Sequence, residues 1–242
     1  MYDQFYRESF VTNKATGKKK AIAIPADWLK EKQHSLLHEL RKLPCHNAAH
    51  GFRVGRNCRS ALSVHRPEDY KVCLDISKFF RAIGPDQVVN CLRANSFSGK
   101  RASEIASLAT FNGGLAIGSP ISPVLANAVF YWLDTFFSNS YRYSRYADDM
   151  IFSLPLLDLS MDSDLSISWT YSEGECEMHN IGPMDNRKTI DKSNGLIVDI
   201  STQLEYYGYK LNRGKVKLNP MYILGLGARP ENWLKPKGQK QK

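Results

Sequence analysis

Tyr141-Arg142-Tyr143-Ser144-Arg145-Tyr146-Ala147-Asp148-Asp149-Met150-Ile151-Phe152-Ser153 alternates Tyr143, Arg145 and Ala147 against Arg142, Ser144 and Tyr146, then resumes as an apolar run at Met150. The period of two predicts two short strands meeting at Asp148-Asp149, with both carboxylates at the tip of a hairpin. Adjacent Asp side chains flanked by apolar strands repel each other, and a divalent cation held between them removes the repulsion. Read by itself the pair is equally a solvated turn, because Asp is a common turn residue.

A second stretch, Tyr70-Lys71-Val72-Cys73-Leu74-Asp75-Ile76-Ser77-Lys78-Phe79-Phe80, is a β-type run with one Asp among apolar neighbours and two aromatics behind it. An ionised carboxylate at the end of a buried strand is costly unless it is paired or binds a metal. Asp75 with Asp148 offers oxygen ligands of the kind Mg²⁺ takes, carboxylates plus substrate phosphates. That is the layout of two-metal nucleotidyl transfer.

With these stretches the chain resembles the reverse transcriptases. Asp75-Ile76-Ser77-Lys78-Phe79-Phe80 is similar to the family's first catalytic motif, and Tyr146-Ala147-Asp148-Asp149 to its Tyr-x-Asp-Asp box. Gly118-Ser119-Pro120-Ile121-Ser122-Pro123-Val124-Leu125-Ala126-Asn127 resembles the template-positioning motif between them. Gly208-Tyr209-Lys210-Leu211-Asn212 with Lys215 resembles the motif that follows, and Ile223-Leu224-Gly225-Leu226 the primer-grip turn. Each box is weak singly, but this series in order over about residues 18–229 is specific. Lys20-Ala21-Ile22, Ala49-His50-Gly51-Phe52 and the Tyr-x-Asp-Asp box itself point to the bacterial, retron-type and phage-defence-associated branch.

The resemblance implies an α+β fold: a right-hand polymerase core of fingers and palm with an antiparallel palm sheet, and no thumb. Residues 1–69 are expected to be fingers, 70–95 palm with the first catalytic Asp, 96–120 a fingers–palm connection, and 121–229 palm with the hairpin and primer grip. Residues 230–242, with Lys235, Lys237, Lys240 and Lys242, read as a basic tail. The surplus length lies in an acidic insertion at about 157–186, expected to form a hairpin for protein contact or edge protection.

By resemblance, Asp75, Asp148 and Asp149 with the carbonyl of Ile76 bind two Mg²⁺ ions, for which Mn²⁺ can substitute, and Lys215 is the general acid for the leaving pyrophosphate. Lys20 takes a triphosphate-contacting position usually held by Arg, where a point charge gives a weaker clamp than a guanidinium fork; a solvated basic turn is the alternative. Arg53 and Arg56 are expected to touch RNA or triphosphate, with ordinary surface charge as the alternative. Phe80, five residues past Asp75, takes the place of the ring that packs under the nucleotide sugar and excludes a 2′-hydroxyl; a simple core Phe is the alternative, and Phe79 is the core residue. Ile117, before Gly118 in the nucleotide site, stands where most relatives have Gln, so lower fidelity is expected. Leu224, Gly225 and Leu226 form the primer grip.

Composition agrees with a polyanionic partner: the formal charge is +9 and the pI about 9.3. Residues 1–60 hold 12 Lys+Arg against 5 Asp+Glu and residues 208–242 hold 9 against 1, while 157–186 hold seven acids and no Lys or Arg. Basic ends around an acidic middle suit a nucleic-acid channel. Cys45, Cys58, Cys73, Cys91 and Cys176 form no CxxC pair, no apolar run approaches a membrane span, and the N-terminus lacks a signal peptide's pattern, so a cytoplasmic protein with free thiols is expected.

Helices are expected from Pro25 to Leu40 with Leu29, Leu36, Leu37 and Leu40 inward, from Pro85 with Val88, Val89 and Leu92 inward, and from Arg101 to Phe111. Another runs from Ser122 to Phe137, capped by Ser122, with Val129, Leu133, Phe136 and Phe137 buried. The last carries Ile197, Ile200 and Leu204 and stops at Gly208. The implied activity is RNA-templated DNA synthesis from dNTPs, with an RNA template, nascent DNA and a dedicated structured noncoding RNA as partners, a second protein or second copy supplying the thumb's clamp, and no membrane. Two rival readings are a non-catalytic RNA-binding subunit that kept the fold and a polymerase working without a conventional template.

Overall fold

A computed structural model describes residues 2–12, 17, 19–66, 69–154, 170–172, 175–177 and 186–218. The chain opens with an antiparallel hairpin, β1 (Tyr6–Thr12) and β2 (Lys19–Pro25), with Gly17 in the connection at φ +66°. Helix α1 (Asp27–Leu40) follows and buries Leu29, Leu36 and Leu40, the stripe its spacing predicts. Gln33 is buried on the same side and donates to the Leu108 carbonyl (2.7 Å) and the Tyr6 hydroxyl (2.6 Å); Tyr6 donates to that same carbonyl (2.7 Å). These bonds tie the hairpin to α1 and to the helix that carries Leu108.

Helix α2 (Cys58–Leu62) begins at a capping box between Asn57 and Ser60. After β3 (Tyr70–Asp75) come α3 (Phe79–Ala82), α4 (Pro85–Ala94) and α5 (Gly99–Ala109), then a small hairpin, β4 (Thr110–Phe111) and β5 (Gly114–Leu115). Val88 and Leu92 are buried as expected. Helix α5 starts two residues before the expected Arg101 because the Ser98 hydroxyl accepts from the Arg101 N–H (3.3 Å) and caps it there.

The single helix expected over Ser122–Phe137 is two, α6 (Ser122–Val129) and α7 (Tyr131–Ser140), which meet at the buried Phe130. Ala126, Phe130, Leu133 and Phe137 are buried at continuous helical spacing across the junction, and Phe136, off that stripe, is exposed. Ser122 does not cap: it is the first helical residue, and its buried hydroxyl has no hydrogen-bond partner among the described residues.

Strands β6 (Arg142–Tyr146) and β7 (Asp149–Leu154) form the predicted hairpin. Within the acidic insertion, β8 (Thr170–Ser172) pairs antiparallel with β9 (Glu175–Glu177); the rest of 157–185 lies outside the described residues. Helix α8 (Asn186–Tyr206) buries Leu196, Ile200 and Leu204 and gives way to Gly208 at φ +82°. A 3₁₀ turn (Arg213–Lys215) leads into β10 (Lys217–Leu218). Residues 219–242, which include the expected primer grip and basic tail, lie outside the described residues. No described helix is long and apolar enough to cross a membrane.

The central sheet runs β10-β3-β7-β6, antiparallel throughout. Alternation sends Val72, Leu74, Met150, Phe152 and Tyr143 into the main core, while Cys73 and Ile151 turn to the other face, against Leu62 of α2. β3 is covered on both faces, which is why Val72-Cys73-Leu74 is apolar without alternation, while the buried Lys71 ammonium donates to the carbonyls of Arg66 and Asp69.

His65 clamps the second face. Its Nδ1 lies 2.7 Å from the Ser153 hydroxyl and its Nε2 2.8 Å from that of Ser144. Burial first, then the charges of Lys71 and Arg142, lower its pKa to about 4 from an ordinary 6.5. Between those values the unfolded chain binds a proton that the folded chain refuses. Stability is therefore full above about pH 6.5 and falls by about 3 kcal/mol as the pH drops towards 4. Denaturant titrations across that interval check this: the slope with pH is expected to flatten in His65→Gln.

Candidate active site

Asp75 ends β3 and is register partner to Asp149, the first residue of β7; Tyr146 of β6 faces Asp149 on the other side. Directly opposed residues share a face with Cβ atoms about 4.5–5.5 Å apart, and like charges so placed are destabilising. A slip of one residue would send the two carboxylates to opposite faces. The core pairs Leu74–Met150 and Val72–Phe152 prevent that slip, because it would expose both. The tip differs by one residue from the expected Asp148-Asp149: the turn is Ala147-Asp148, and Asp149 already belongs to the strand. The Asp148 carbonyl accepts from the Ile76 N–H (2.9 Å), which draws the turn against the end of β3.

The segment after α8 closes the other side. The Asn212 N–H donates to the Asp75 carbonyl and the Ser77 N–H to the Lys210 carbonyl, both at 2.8 Å, flanking an antiparallel bridge between Ile76 and Leu211. The bridge uses the carbonyls of Asp75 and Lys210, not that of Ile76. Since β10 then pairs with Val72 and Cys73, Lys215 is carried between two points fixed to β3. Its Nζ donates to Asp75 Oδ1 at 2.5 Å; Asp75 is 4% exposed, whereas the Lys215 side chain is 55% exposed. That hydrogen bond chiefly, against the effect of burial, raises the Lys215 pKa, and the charges of Asp75, Asp148 and Asp149 add to it. All three carboxylates therefore act on one cation.

Among the described residues no three His, Cys, Asp or Glu side chains stand as a ready-made metal cluster. The donors at the hairpin are nonetheless hard oxygens, and the cation on Asp75 is the Lys215 ammonium. Oxygen donors that already attract a positive charge fit a divalent cation of the Mg²⁺ type.

The hairpin is held from beneath by a residue that the sequence reading passed over. Arg145 is completely buried and forks onto Asp134 of α7, Nε to Oδ1 at 2.9 Å and Nη2 to Oδ2 at 2.7 Å. It also donates to Asn127 Oδ1 (3.2 Å) and to the carbonyl of Ala147 in the turn (2.9 Å), and its guanidinium lies 4.7 Å from the Phe130 ring centre and 5.5 Å from that of Phe79. Tyr143 donates to Asp134 Oδ1 (2.8 Å). The sequence does carry the signal: Arg145 shares a strand face with the core residue Tyr143, and Asp134 is the lone acid in the apolar run Tyr131-Trp132-Leu133-Asp134-Thr135-Phe136-Phe137.

The loop preceding α2 lies along this hairpin. Ala49 forms a parallel bridge to Arg145, the His50 N–H donates to the Arg145 carbonyl (2.7 Å), and Asn127 Nδ2 donates to the Gly51 carbonyl (3.0 Å). A Cβ on Gly51 would stand 2.5 Å from the Ala147 nitrogen, so only glycine permits this approach. Arg53 donates to the carbonyls of His46 (2.9 Å) and Ala49 (3.0 Å), and Arg56 lies 3.3 Å from His50 Nε2. Both guanidinium groups thus brace their own loop beside the hairpin. Burial, then Arg56 and Arg53, lower the His50 pKa to about 4, which keeps that imidazole neutral between them.

Phe79 is buried and Phe80 half-buried, its ring 5.7 Å from that of Phe52. Lys20 is exposed on β2. Ile117 and Gly118 dock on the same strand: the Ala23 N–H donates to the Ile117 carbonyl (2.7 Å), and Gly118, at φ +127°, has its missing Cβ 2.5 Å from the Ala23 carbonyl oxygen. The backbone bond of Ile117 and the close approach of Gly118 are thus both to β2. Leu224, Gly225 and Leu226 lie outside the described residues.

An antiparallel sheet carrying a strand-end Asp against an Asp-bearing hairpin, flanked by an N-terminal hairpin and helices, defines the fingers-and-palm core of a right-hand polymerase. Residues 11–158 match the model of the reverse transcriptase (RNA-dependent DNA polymerase) family, and the chain belongs to that family. It is similar to two proteins of Myxococcus xanthus, the retron Mx162 reverse transcriptase (30% identical, over 60% of this chain and 35% of that protein) and the retron Mx65 reverse transcriptase (29%, over 60% and 40%). The chain thus spans well under half the length of these curated relatives. Its fold is similar to that of apo telomerase from Candida tropicalis, with a TM-score of 0.51 at 11% identity over 88% of this chain and 43% of that one.

Proposed function

We propose that this chain is an RNA-directed DNA polymerase of the retron type, extending a primer on a structured noncoding RNA with deoxynucleoside triphosphates, in the cytoplasm and in the service of phage defence. The observation that carries the reading is the register of β3 on β7, which pairs Asp75 with Asp149 beside the Asp148 turn. Family membership and two retron relatives support the reaction class; the noncoding RNA and the defence role rest on the retron-like sequence boxes alone.

In the proposed reaction the oxygen of the primer 3′-hydroxyl attacks the α-phosphorus, its proton passes to solvent water, the bond from that phosphorus to the bridging oxygen breaks, and pyrophosphate leaves. Asp75, Asp148 and Asp149, with the Ile76 carbonyl, would hold two divalent cations, Mg²⁺ or in its stead Mn²⁺, which supply Lewis-acid stabilisation of the charge that develops. Lys215 gives up its hold on Asp75 and delivers a proton to the pyrophosphate, a contribution of about 10²–10⁴-fold for a positioned acid. Before that step the hydrogen bond to Asp75, with the charges of Asp75, Asp148 and Asp149, keeps the proton on Lys215. Lys20, on the exposed strand that docks on Ile117, attracts the triphosphate tail as a point charge.

The test is incorporation of labelled dNTPs on an RNA template-primer with Mg²⁺, using purified protein with and without nuclease treatment of copurifying RNA. Template-matched DNA that depends on the RNA supports the reading, and DNA whose sequence ignores the template sinks it. A non-catalytic RNA-binding subunit is the second reading, and the ion pair between Lys215 and Asp75 favours it. RNA binding with no incorporation would decide for that one.

A further inference from the structure

Among the described residues five that are not glycine have φ in the left-handed region: Phe52 (62°), Lys78 (50°), Ser96 (68°), Asn112 (50°) and Ala147 (58°). Ser96 and Asn112 close turns, where short polar side chains tolerate this conformation. The other three gather at the candidate active site. Ala147 is in the hairpin turn, Lys78 stands three residues past Asp75, and Phe52 follows the glycine that packs on Ala147.

Phe52 is the least expected of them. A bulky residue in this region costs about 1–3 kcal/mol, and at 49% exposure its ring gains little burial in return. Strain that folding does not explain is a pointer to function. The ring instead meets Phe80 at 5.7 Å and 59°; Phe80 leans on Phe79 (5.4 Å), and Phe79 lies under the Arg145 guanidinium. On the other side the Gly51 carbonyl accepts from Asn127, which is itself bonded to Arg145. One buried network therefore adjoins both the carboxylate hairpin and this pair of rings, Phe52 exposed and Phe80 half-buried.

We infer that Phe52 is a specificity-determining residue, which joins Phe80 in an apolar wall against the sugar of the incoming nucleotide and selects deoxyribose over ribose. The inference rests on the polymerase reading. A 2′-hydroxyl pressed on two aromatic rings gives up its water and finds no partner, a cost of about 1–3 kcal/mol, whereas the 2′-methylene of a deoxyribose loses nothing. Phe52 also keeps Phe80 from leaning away, so that selection depends on both rings.

The experiment compares kcat/KM for dNTPs and for ribonucleotides on one RNA template-primer in the wild type, Phe52→Ala, Phe52→Gly, Phe52→Tyr and, as reference, Phe80→Ala. The dNTP preference is expected to fall roughly tenfold or more in Phe52→Ala and Phe52→Gly, and likewise in Phe80→Ala. Phe52→Tyr, which keeps the ring, retains it. The melting temperature of Phe52→Gly is expected to stay level or rise, because glycine takes this φ without strain. An unchanged preference in both truncations beside an active wild type overturns the inference and leaves the polymerase reading standing. A wild type that incorporates no nucleotide at all overturns the two together.

Discussion

Replacing Asp148 and Asp149 together by alanine is expected to abolish Mg²⁺-dependent dNTP incorporation while leaving the fold intact. The carboxylates converge because of strand register, and the register is set elsewhere, by Leu74 against Met150 and Val72 against Phe152. Removing them leaves those contacts untouched and relieves a like-charge pair across the strands. Several kcal/mol of transition-state stabilisation disappear with the ligands, so incorporation should drop by about 10³-fold or more. The melting temperature should hold steady or climb. Activity within tenfold of wild type would remove the site assignment, and a large loss of melting temperature would mark the pair as structural.

The second large effect is expected beneath the hairpin. Arg145→Met leaves Asp134 as a buried, unpaired charge, a loss of about 3–5 kcal/mol, or a fall in melting temperature of roughly 10 °C for a chain of this size. Asp134→Leu should cost a similar amount. The double variant should recover much of the stability, since an apolar pair of similar volume replaces a buried ion pair at little cost. Incorporation should not recover with it, because the Ala147 carbonyl has still lost the guanidinium donor that fixes the turn before Asp148. Thermal melts and primer extension on the three variants check both halves. Full activity in a stable double variant would show that the ion pair serves folding alone.

The carboxylate hairpin was legible because strand alternation has a period of two: Tyr146 to Asp149 could be read as a turn, and Asp75 as a charge that needs a reason. The helix over Asp27–Leu40 followed from its leucine spacing in the same way. What escaped depended on tertiary partners. Nothing local marks the boundary at Phe130, whose ring lies against Arg145 and Tyr209 in the core. For Arg53 and Arg56 a sequence records the charge but not the carbonyls and imidazole they meet. The left-handed backbone at Phe52 is invisible to propensity, since Phe carries no preference for it.

The ammonium on Asp75 has a consequence for how such a centre comes into being. Opposed acids are a liability to a nascent sheet, and many metalloproteins need their ion before they can close. Here a tethered side chain, more than half in solvent, plays understudy. The strands can assemble in an ion-poor setting, and the tether, being long and wet, can later step aside without disturbing them.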